Sequence, residues 1–450
     1  WNIDPNKIGI LGFSAGGHLA STLSTHYDEE VYVPMDGASA RPDFSILVYP
    51  VISMEEGVTH EGSKKSLLGE QPSEEIIERY SNAKQVNAKT PPTFLVHATD
   101  DKAVPVENSL EYYQALKKHD VAVEMHIYES GGHGYGLGVS GTNTNWPQDL
   151  KKWFGANNYI KSDEVYLFSY FKGNGEDGLH LAYSENGLNW QPLRNDTSFL
   201  TPKVGKDKLM RDPCIIKGAD GQYHMVWTVS WTDKGIGYAS SKDLLNWSEQ
   251  QFIPVMAHEK GARNTWAPET TYDNGSEKYM IYWASTIEGK FPETKSTKES
   301  GYNHRMYYTT TTDFKDFTDT KLLYEPGFNV IDATIQKVDS KFVMFLKDET
   351  IEPAQKNIRI AISDQLEGPY DQASAPITGK YWAEGPTAIE INGKWVVYFD
   401  KYIDKKYGAV TSGDLKQWED ISDRIRFPEG TRHGTVFKVP RDLFLKLNNE

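Results

Sequence analysis

Three acidic residues, Asp212 in the string RDP, Asp332 in IDAT and Glu384 in EGP, stand at the starts of segments that otherwise resemble one another. A single Asp before Pro is an ordinary turn former. Carboxylates gathered into one small space behave differently: they desolvate and repel one another, which separates them into acid and base roles. A second set lies earlier, with Ser14 in GILGFSAGGHLAS, Asp101 in HATDDKAVP and His133 in GGHGYG, each after an apolar run and in the order Ser, Asp, His. A Gly-flanked Ser on a sharp turn from strand to helix exposes its hydroxyl, and an acid-oriented His could take its proton for attack on an ester. Asp100 competes with Asp101 for the orienting role, and the spacing H-x-x-x-D-x-x-V-P favours Asp101. His97 and His18 read as structural.

Two kinds of scaffold must position these groups. Residues 1–158 alternate short apolar runs (KIGILGF, FSILVYPV, TFLVHA, VEMHIY) with helical patterns such as SLEYYQALKKH. That rhythm predicts a mostly parallel sheet with helices on its faces. Beyond Tyr159 the helical patterns fade into aromatic strands with Gly-rich turns, so a boundary falls near Asn157–Ser162 and a second domain covers 163–450. There the chain repeats itself. One half-unit is a strand, a turn and an aromatic strand: RDPCIIKGADGQYHMVW, WAPETTYDNGSEKYMIYW, IDATIQKVDSKFVMFL, EGPTAIEINGKWVVYF. The other ends in a polar turn and an aromatic: YASSKDLLNW, YTTTTDFKDF, AISDQLEGPY, AVTSGDLKQW. A fifth unit is split between RHGTVFKVP near the end and VYLFSYF with LAYSENGLNW near residue 165. Five four-stranded blades of an all-β propeller follow, closed by strands from both ends of the region. A β-sandwich with accidental similarity between strands is the alternative, and the alternating order of half-units disfavours it. The innermost strands of a propeller converge on a channel, so acids at one place in successive half-units would face one another. Trp190, Trp247 and Trp418 recur once per unit and read as packing.

The formal net charge of −15 leaves no basic face for a phosphate backbone, so no nucleic-acid partner is expected. No run approaches the roughly 18 apolar residues that a membrane span needs. The lone Cys214 rules out a disulfide within the chain. Trp1 is followed at once by a buried-strand pattern rather than a signal peptide, which reads as a fragment whose own signal is not observable.

The order of acids across the half-units resembles glycoside hydrolase family 43, over nearly all of residues 163–445. The strings WAPE (Trp266 to Glu269), KDE (Lys347 to Glu349) and RHG (Arg432 to Gly434) also resemble that family. The resemblance implies an inverting glycosidase with Asp212 as general base, Asp332 tuning the acid and Glu384 as general acid, the base and acid carboxyls roughly 6.5–9.5 Å apart. It places Trp266, Glu269 and Trp382 with the substrate-binding residues, together with Arg211 and Arg432, which either contact sugar hydroxyls or pair with the carboxylates. His433 is similar to the family's central histidine, which holds a water-coated calcium or orients the base; no cofactor is otherwise expected. Residues 1–158 resemble carbohydrate-esterase and dienelactone-hydrolase-like members of the α/β-hydrolase fold, with Ser14, Asp101 and His133 as nucleophile, orienting acid and base. The strands and Gly-rich loop that such a fold carries before the nucleophile are not found ahead of Trp1, so a partial domain with little or no esterase activity is expected. Together these readings imply a hemicellulose-degrading enzyme, secreted or periplasmic, acting on acetylated xylan or arabinoxylan as α-L-arabinofuranosidase or β-xylosidase, the first slightly preferred. The alternatives are an acetylxylan esterase with an accessory propeller and a non-catalytic sugar-binding propeller.

Overall fold

The computed structural model describes residues 4–29, 39–138 and 145–449. The chain forms two compact units, residues 1–161 and 162–450.

In the first unit, strands Gly9–Phe13, Phe44–Val48, Thr93–Ala98 and Val123–Tyr128 lie side by side in that order, all parallel. Phe44–Val48 and Thr93–Ala98 are buried along their whole length, because helices cover both faces and continuous apolar runs are what such strands need. Alternate side chains go to opposite faces. Phe44, Ile46 and Val48 join Phe94, Val96 and the Trp146–Ala156 helix, whereas Leu47 and Leu95 meet Ala20, Tyr112 and Leu116 of the helices Ser14–His26 and Glu107–Lys118. Among the described residues, Gly9–Phe13 is an edge strand, with Leu11 44% exposed.

The second unit is a propeller of five antiparallel sheets. Four follow the chain, starting at Arg211–Lys217, Trp266–Asp273, Val330–Val338 and Glu384–Ile391; the fifth pairs the late strand Thr435–Pro440 with the early strand Glu164–Tyr170. Apolar side chains pack between neighbouring blades, as where Met280 and Tyr282 of the second meet Ile335 and Met344 of the third. The recurrent aromatics are structural: the indole N–H groups of Trp190 and Trp247 donate to the carbonyls of Gly187 and Leu244 in their own turns.

The expectation of five four-stranded blades fails in the third, which has three regular strands. Its outer segment, residues 371–377, returns only scattered backbone bonds, from Asp371, Ser374 and Ile377 to Asn357–Ser363. Pro376 lies in that segment and has no N–H to give a ladder.

No helix among the described residues is long and apolar enough to cross a membrane.

Candidate active sites of the two units

Each of the first four blades breaks register at the same place in its innermost strand. The irregularities fall between Arg211 and Cys214, Trp266 and Glu269, Ile331 and Thr334, and Glu384 and Thr387. Within each break one residue has positive φ: Asp212 (51°), Ala267 (47°), Asp332 (51°) and Gly385 (58°). Such a bulge bends the strand and re-aims a side chain, here at the channel mouth. Asp212 and Asp332 are therefore equivalent, but Glu384 is not their equivalent. It precedes the bulge residue, in the place held by Arg211, Trp266 and Ile331 in the other blades, so the expectation that all three acids share one strand position is corrected.

Asp212, Asp332 and Glu384 nevertheless line a single cavity of about 430 Å³, with Arg211, Trp231, Trp266, Lys347, Glu349, Arg432 and His433 among its other walls. Asp212 Oδ2 accepts from the Thr228 hydroxyl at 2.8 Å, and Oδ1 lies 3.3 Å from His433 Nδ1. Burial works against the Asp212 charge, but His433, Arg211 and Thr228 prevail and hold it below the usual carboxylate range. Burial likewise pushes the His433 imidazole down, yet Asp212, Asp332 and Glu269 around it carry it up to about 9 from 6.5. Asp332 is pushed up to about 6, mainly by burial and further by Glu384 and Asp212, against the pull of His433 and Lys347. Its Oδ2 accepts from the Gly385 amide at 3.1 Å, which ties it to the strand bearing Glu384.

Glu384 sits between two cations. Lys347 Nζ is 3.0 Å from Oε2, and Arg432 Nη2 is 3.0 Å from Oε1 while its Nε donates to Asp400 at 2.6 Å. Burial pushes Asp400 up to about 6, with Arg432 opposing. Lys347 is enclosed (side chain 3% exposed) and Arg432 lies on the open side (33%).

Of the expected sugar-contacting residues, Arg211, Trp266 and Arg432 face the cavity. Glu269 does not. It lies one layer deeper, 5% exposed, accepting from Thr435 and Thr334 at 3.0 Å and from the Cys214 thiol at 3.6 Å. Buried and bonded below the floor, it does not line this cavity, and burial pushes its carboxyl up to about 7. Trp382 is not among the lining residues either; it packs on the Tyr402 ring and beside Lys356.

Sequence reasoning passed over Thr228, Asp400 and Trp231, and gave Lys347 no role. Thr228, Ala284, Lys347 and Asp400 are the cross-strand partners of Arg211, Trp266, Ile331 and Glu384. Three of them show as polar residues closing an apolar strand, in HMVWT, VMFLK and VVYFD. Trp231 is 43% exposed at the rim, with the Arg211 guanidinium 4.3 Å from its ring centre and its indole N–H donating to Asn174.

The calcium ion implied by the family resemblance is one that His433 would reach through water, and this donor set does not fit direct coordination. His433 turns Nδ1 to Asp212, with its charged form favoured by the carboxylates around it, and no group of three or more His, Cys, Asp or Glu among the described residues could hold a metal. Calcium prefers six to eight oxygens.

The first unit assembles its own triad. Ser14 Oγ is 2.8 Å from His133 Nε2, and His133 Nδ1 is 2.7 Å from Asp101 Oδ2. Asp101 thus occupies the place expected for the orienting acid, whereas Asp100 accepts from the Gly131 and Gly132 amides. Ser14 has φ 51°, the strained turn that presents a nucleophile. The turn needs Gly12, because a Cβ there would lie 2.2 Å from the Gly16 carbonyl oxygen. His97 is buried against Ser109 and the Val104 carbonyl, and His18 bonds the Tyr80 carbonyl.

With this geometry in place, each unit is similar to known proteins. An acetylxylan esterase of Xylanibacter ruminicola is 44% identical over 143 residues, covering 31% of this chain and 28% of that protein. An alpha-L-arabinofuranosidase of Bifidobacterium longum subsp. longum is 24% identical over 259 residues, covering 49% of this chain and 24% of that protein. The matches thus span less than a third of these relatives' lengths. A solved acetyl ester-xyloside bifunctional hydrolase from Caldicellulosiruptor lactoaceticus is 50% identical over 35% of this chain and 60% of that one, with a TM-score of 0.34. Residues 2–159 match the prolyl oligopeptidase family, an α/β-hydrolase assignment. Residues 162–442 match the family-43-related group described as a probable glycosyl hydrolase domain, and the chain belongs to that family.

Proposed function

We propose that the propeller is an inverting glycosidase that removes pentose units from hemicellulose, with α-L-arabinofuranosides as its first substrates and β-xylosides as its second. The observation that carries the reading is the meeting of Asp212, Asp332 and Glu384 in one cavity. The arabinofuranosidase relative supports the sugar class. Asp212, held ionised by Thr228 and His433, takes a proton from water as that water attacks the anomeric carbon. Glu384 delivers a proton to the leaving oxygen. For that, the cation on its open side must move: Arg432 turns from Oε1 toward a sugar hydroxyl, while Lys347 stays enclosed behind the carboxylate. Asp332, fixed by the Gly385 amide, keeps negative charge beside Glu384, which is the tuning role proposed for it. The expected site of action is outside the cytoplasm, where polysaccharide is found. The test is hydrolysis of 4-nitrophenyl α-L-arabinofuranoside and β-D-xylopyranoside by the wild-type chain and by Glu384→Gln and Asp212→Asn. Turnover in the wild type and its loss in both variants supports the reading; equal rates in wild type and variants overturn it.

A second reading concerns the first unit and rests on the Ser14–His133–Asp101 contacts. Under this reading the unit hydrolyses acetyl esters on the same polysaccharide, as the name of the acetylxylan esterase relative suggests; it departs from the expectation of little or no esterase activity because Ser14, His133 and Asp101 already stand in hydrogen-bonding contact. Turnover of 4-nitrophenyl acetate that disappears in Ser14→Ala, with glycoside hydrolysis unchanged, supports it; ester turnover unaffected by Ser14→Ala removes it.

A further inference from the structure

Behind Glu384 runs a chain of alternating charges. Lys347 Nζ pairs with Glu384 at 3.0 Å and with Glu349 Oε2 at 2.6 Å; Glu349 Oε1 accepts from Lys356 Nζ at 2.6 Å; Lys356 Nζ also donates to both oxygens of Glu299 at 2.8 Å. The two ammonium groups are enclosed, with side-chain exposures of 3% for Lys347 and 1% for Lys356. The main chain of Lys356 also acts on the same strand: its carbonyl accepts from the Ala383 amide at 2.9 Å, one residue before Glu384. Lys356 holds φ 47° to make that bond.

We infer that Lys356 is a positioning residue for proton delivery: it shares Glu349 with Lys347, and so determines how firmly Lys347 stays on the back of Glu384. The inference rests on Glu384 being the general acid. A buried carboxylate between two ammonium groups needs little from either. Without the Lys356 charge, Glu349 has one cationic partner left, and Lys347 is drawn from Glu384 toward it. The consequence reaches only the step in which Glu384 gives up its proton.

The other end of the chain is the connection 286–304, between Lys278–Ser285 and Arg305–Thr311. Its Glu299 is clamped by Lys356, its Ser300 and Gly301 carbonyls accept from Arg263, and its Tyr302 packs 4.7 Å from the Trp266 ring that walls the cavity. Arg263, 4.3 Å from the Tyr302 ring centre, and the stacked His304 ring also hold Tyr302 there, so the aromatic wall does not depend on Lys356.

The charged and titratable groups facing this chain are few enough to name. Glu384 faces Lys347, Arg432, Asp332, Asp400, Tyr402 and Tyr407. Lys347 faces Glu384, Glu349, Asp332, Tyr402 and His304. Lys356 faces Glu349 and Glu299, with the Trp382 ring beside it. Glu349 faces both lysines and His304, and the lysines hold it below the usual range although burial opposes them.

The test is Lys356→Met, which removes the charge and keeps the length, with Lys356→Arg as the charge-preserving control. Two substrates of one sugar are compared: a 2,4-dinitrophenyl glycoside, whose leaving group needs no proton, and an alkyl glycoside or oligosaccharide, whose leaving oxygen does. The expected result for Lys356→Met is a loss of about tenfold or more in kcat/KM on the proton-requiring substrate. Little change is expected on the activated one, and the alkaline limb of the pH profile should move up by roughly half a unit. Lys356→Arg should recover most of the loss. Equal losses on both substrates, or an unmoved alkaline limb in a variant that melts like the wild type, overturn the inference and leave Lys356 a structural residue. Wild type that is active and dies in Glu384→Gln while Lys356→Met is normal overturns the inference alone; wild type inactive on every glycoside overturns it together with the proposed function.

Discussion

Replacing His433 by Gln should change how the stability of the propeller depends on pH. The imidazole is enclosed beside Asp212, Asp332 and Glu269, and they carry it from 6.5 up to about 9 despite the burial that pushes it down. A group raised on folding contributes stability that is complete below its unfolded value, near pH 6.5, and that fades as pH rises through about 9. A shift of about 2.5 units at 1.36 kcal/mol each makes that contribution about 3 kcal/mol. For a domain of this size it corresponds to roughly 6 °C in melting temperature. Asp332 and Asp400, both pushed to about 6, are ionised throughout the upper window and so drop out of the comparison, while Glu269, pushed to about 7, still titrates at its lower end, so the two curves are compared from about pH 8 upward. The depressed Asp212 loses its proton-linked stabilisation only in acid, far below that window. The assay is thermal unfolding of wild type and His433→Gln, followed by circular dichroism at intervals from about pH 7 to 10. The wild type should lose more than the variant over that range, by up to roughly 6 °C. Parallel curves would mean that His433 is not an imidazolium, and the account of how Asp212 keeps its charge would fail with it.

Thr228→Val removes the hydroxyl that donates to Asp212 and accepts from the Ala267 amide. Losing a bond to a buried charge costs about 1.5–3 kcal/mol, so kcat/KM should fall roughly 10- to 100-fold with the acid limb of the pH profile moved upward; an unmoved limb would detach Thr228 from the base. Trp231→Ala takes an exposed ring from the rim without touching the acids. KM for oligosaccharides should rise several-fold with kcat nearly constant, and a fall in kcat alone would show that the ring acts on the chemistry instead.

The two architectures were legible in the sequence for separate reasons. Runs such as FSILVYPV and TFLVHA are mostly apolar without a polar alternation, which a strand covered on both faces requires, and Phe44–Val48 and Thr93–Ala98 are such strands. The propeller showed itself through half-units repeated in alternating order, including the pair that closes Thr435–Pro440 onto Glu164–Tyr170. What the strings hid was register. Matching EGP to RDP by acid type misplaces it by one residue, because the bulge residue of that blade is Gly385, so Glu384 enters the cavity from the neighbouring position. WAPE looked like part of the cavity wall, but Glu269 follows its bulge and belongs to the layer beneath, with Cys214, Thr334 and Thr435. Lys347 and Asp400 reach the acids only by cross-strand pairing, which no linear spacing displays. The irregular edge of the third blade was likewise hidden, since AISDQLEGPY repeats the pattern and the interruption comes only later, at Pro376.

The central claim is that Asp212 and Glu384 act from opposite sides of one glycosidic bond through a water held by Asp212. The most direct measurement is the anomeric configuration of the first-formed sugar, followed by proton NMR from the start of hydrolysis of an α-L-arabinofuranoside or β-xyloside. The account predicts that the inverted anomer appears first and then mutarotates, and that neither anomer forms with Asp212→Asn. First appearance of the retained anomer, or its formation by Asp212→Asn at the wild-type rate, would contradict it.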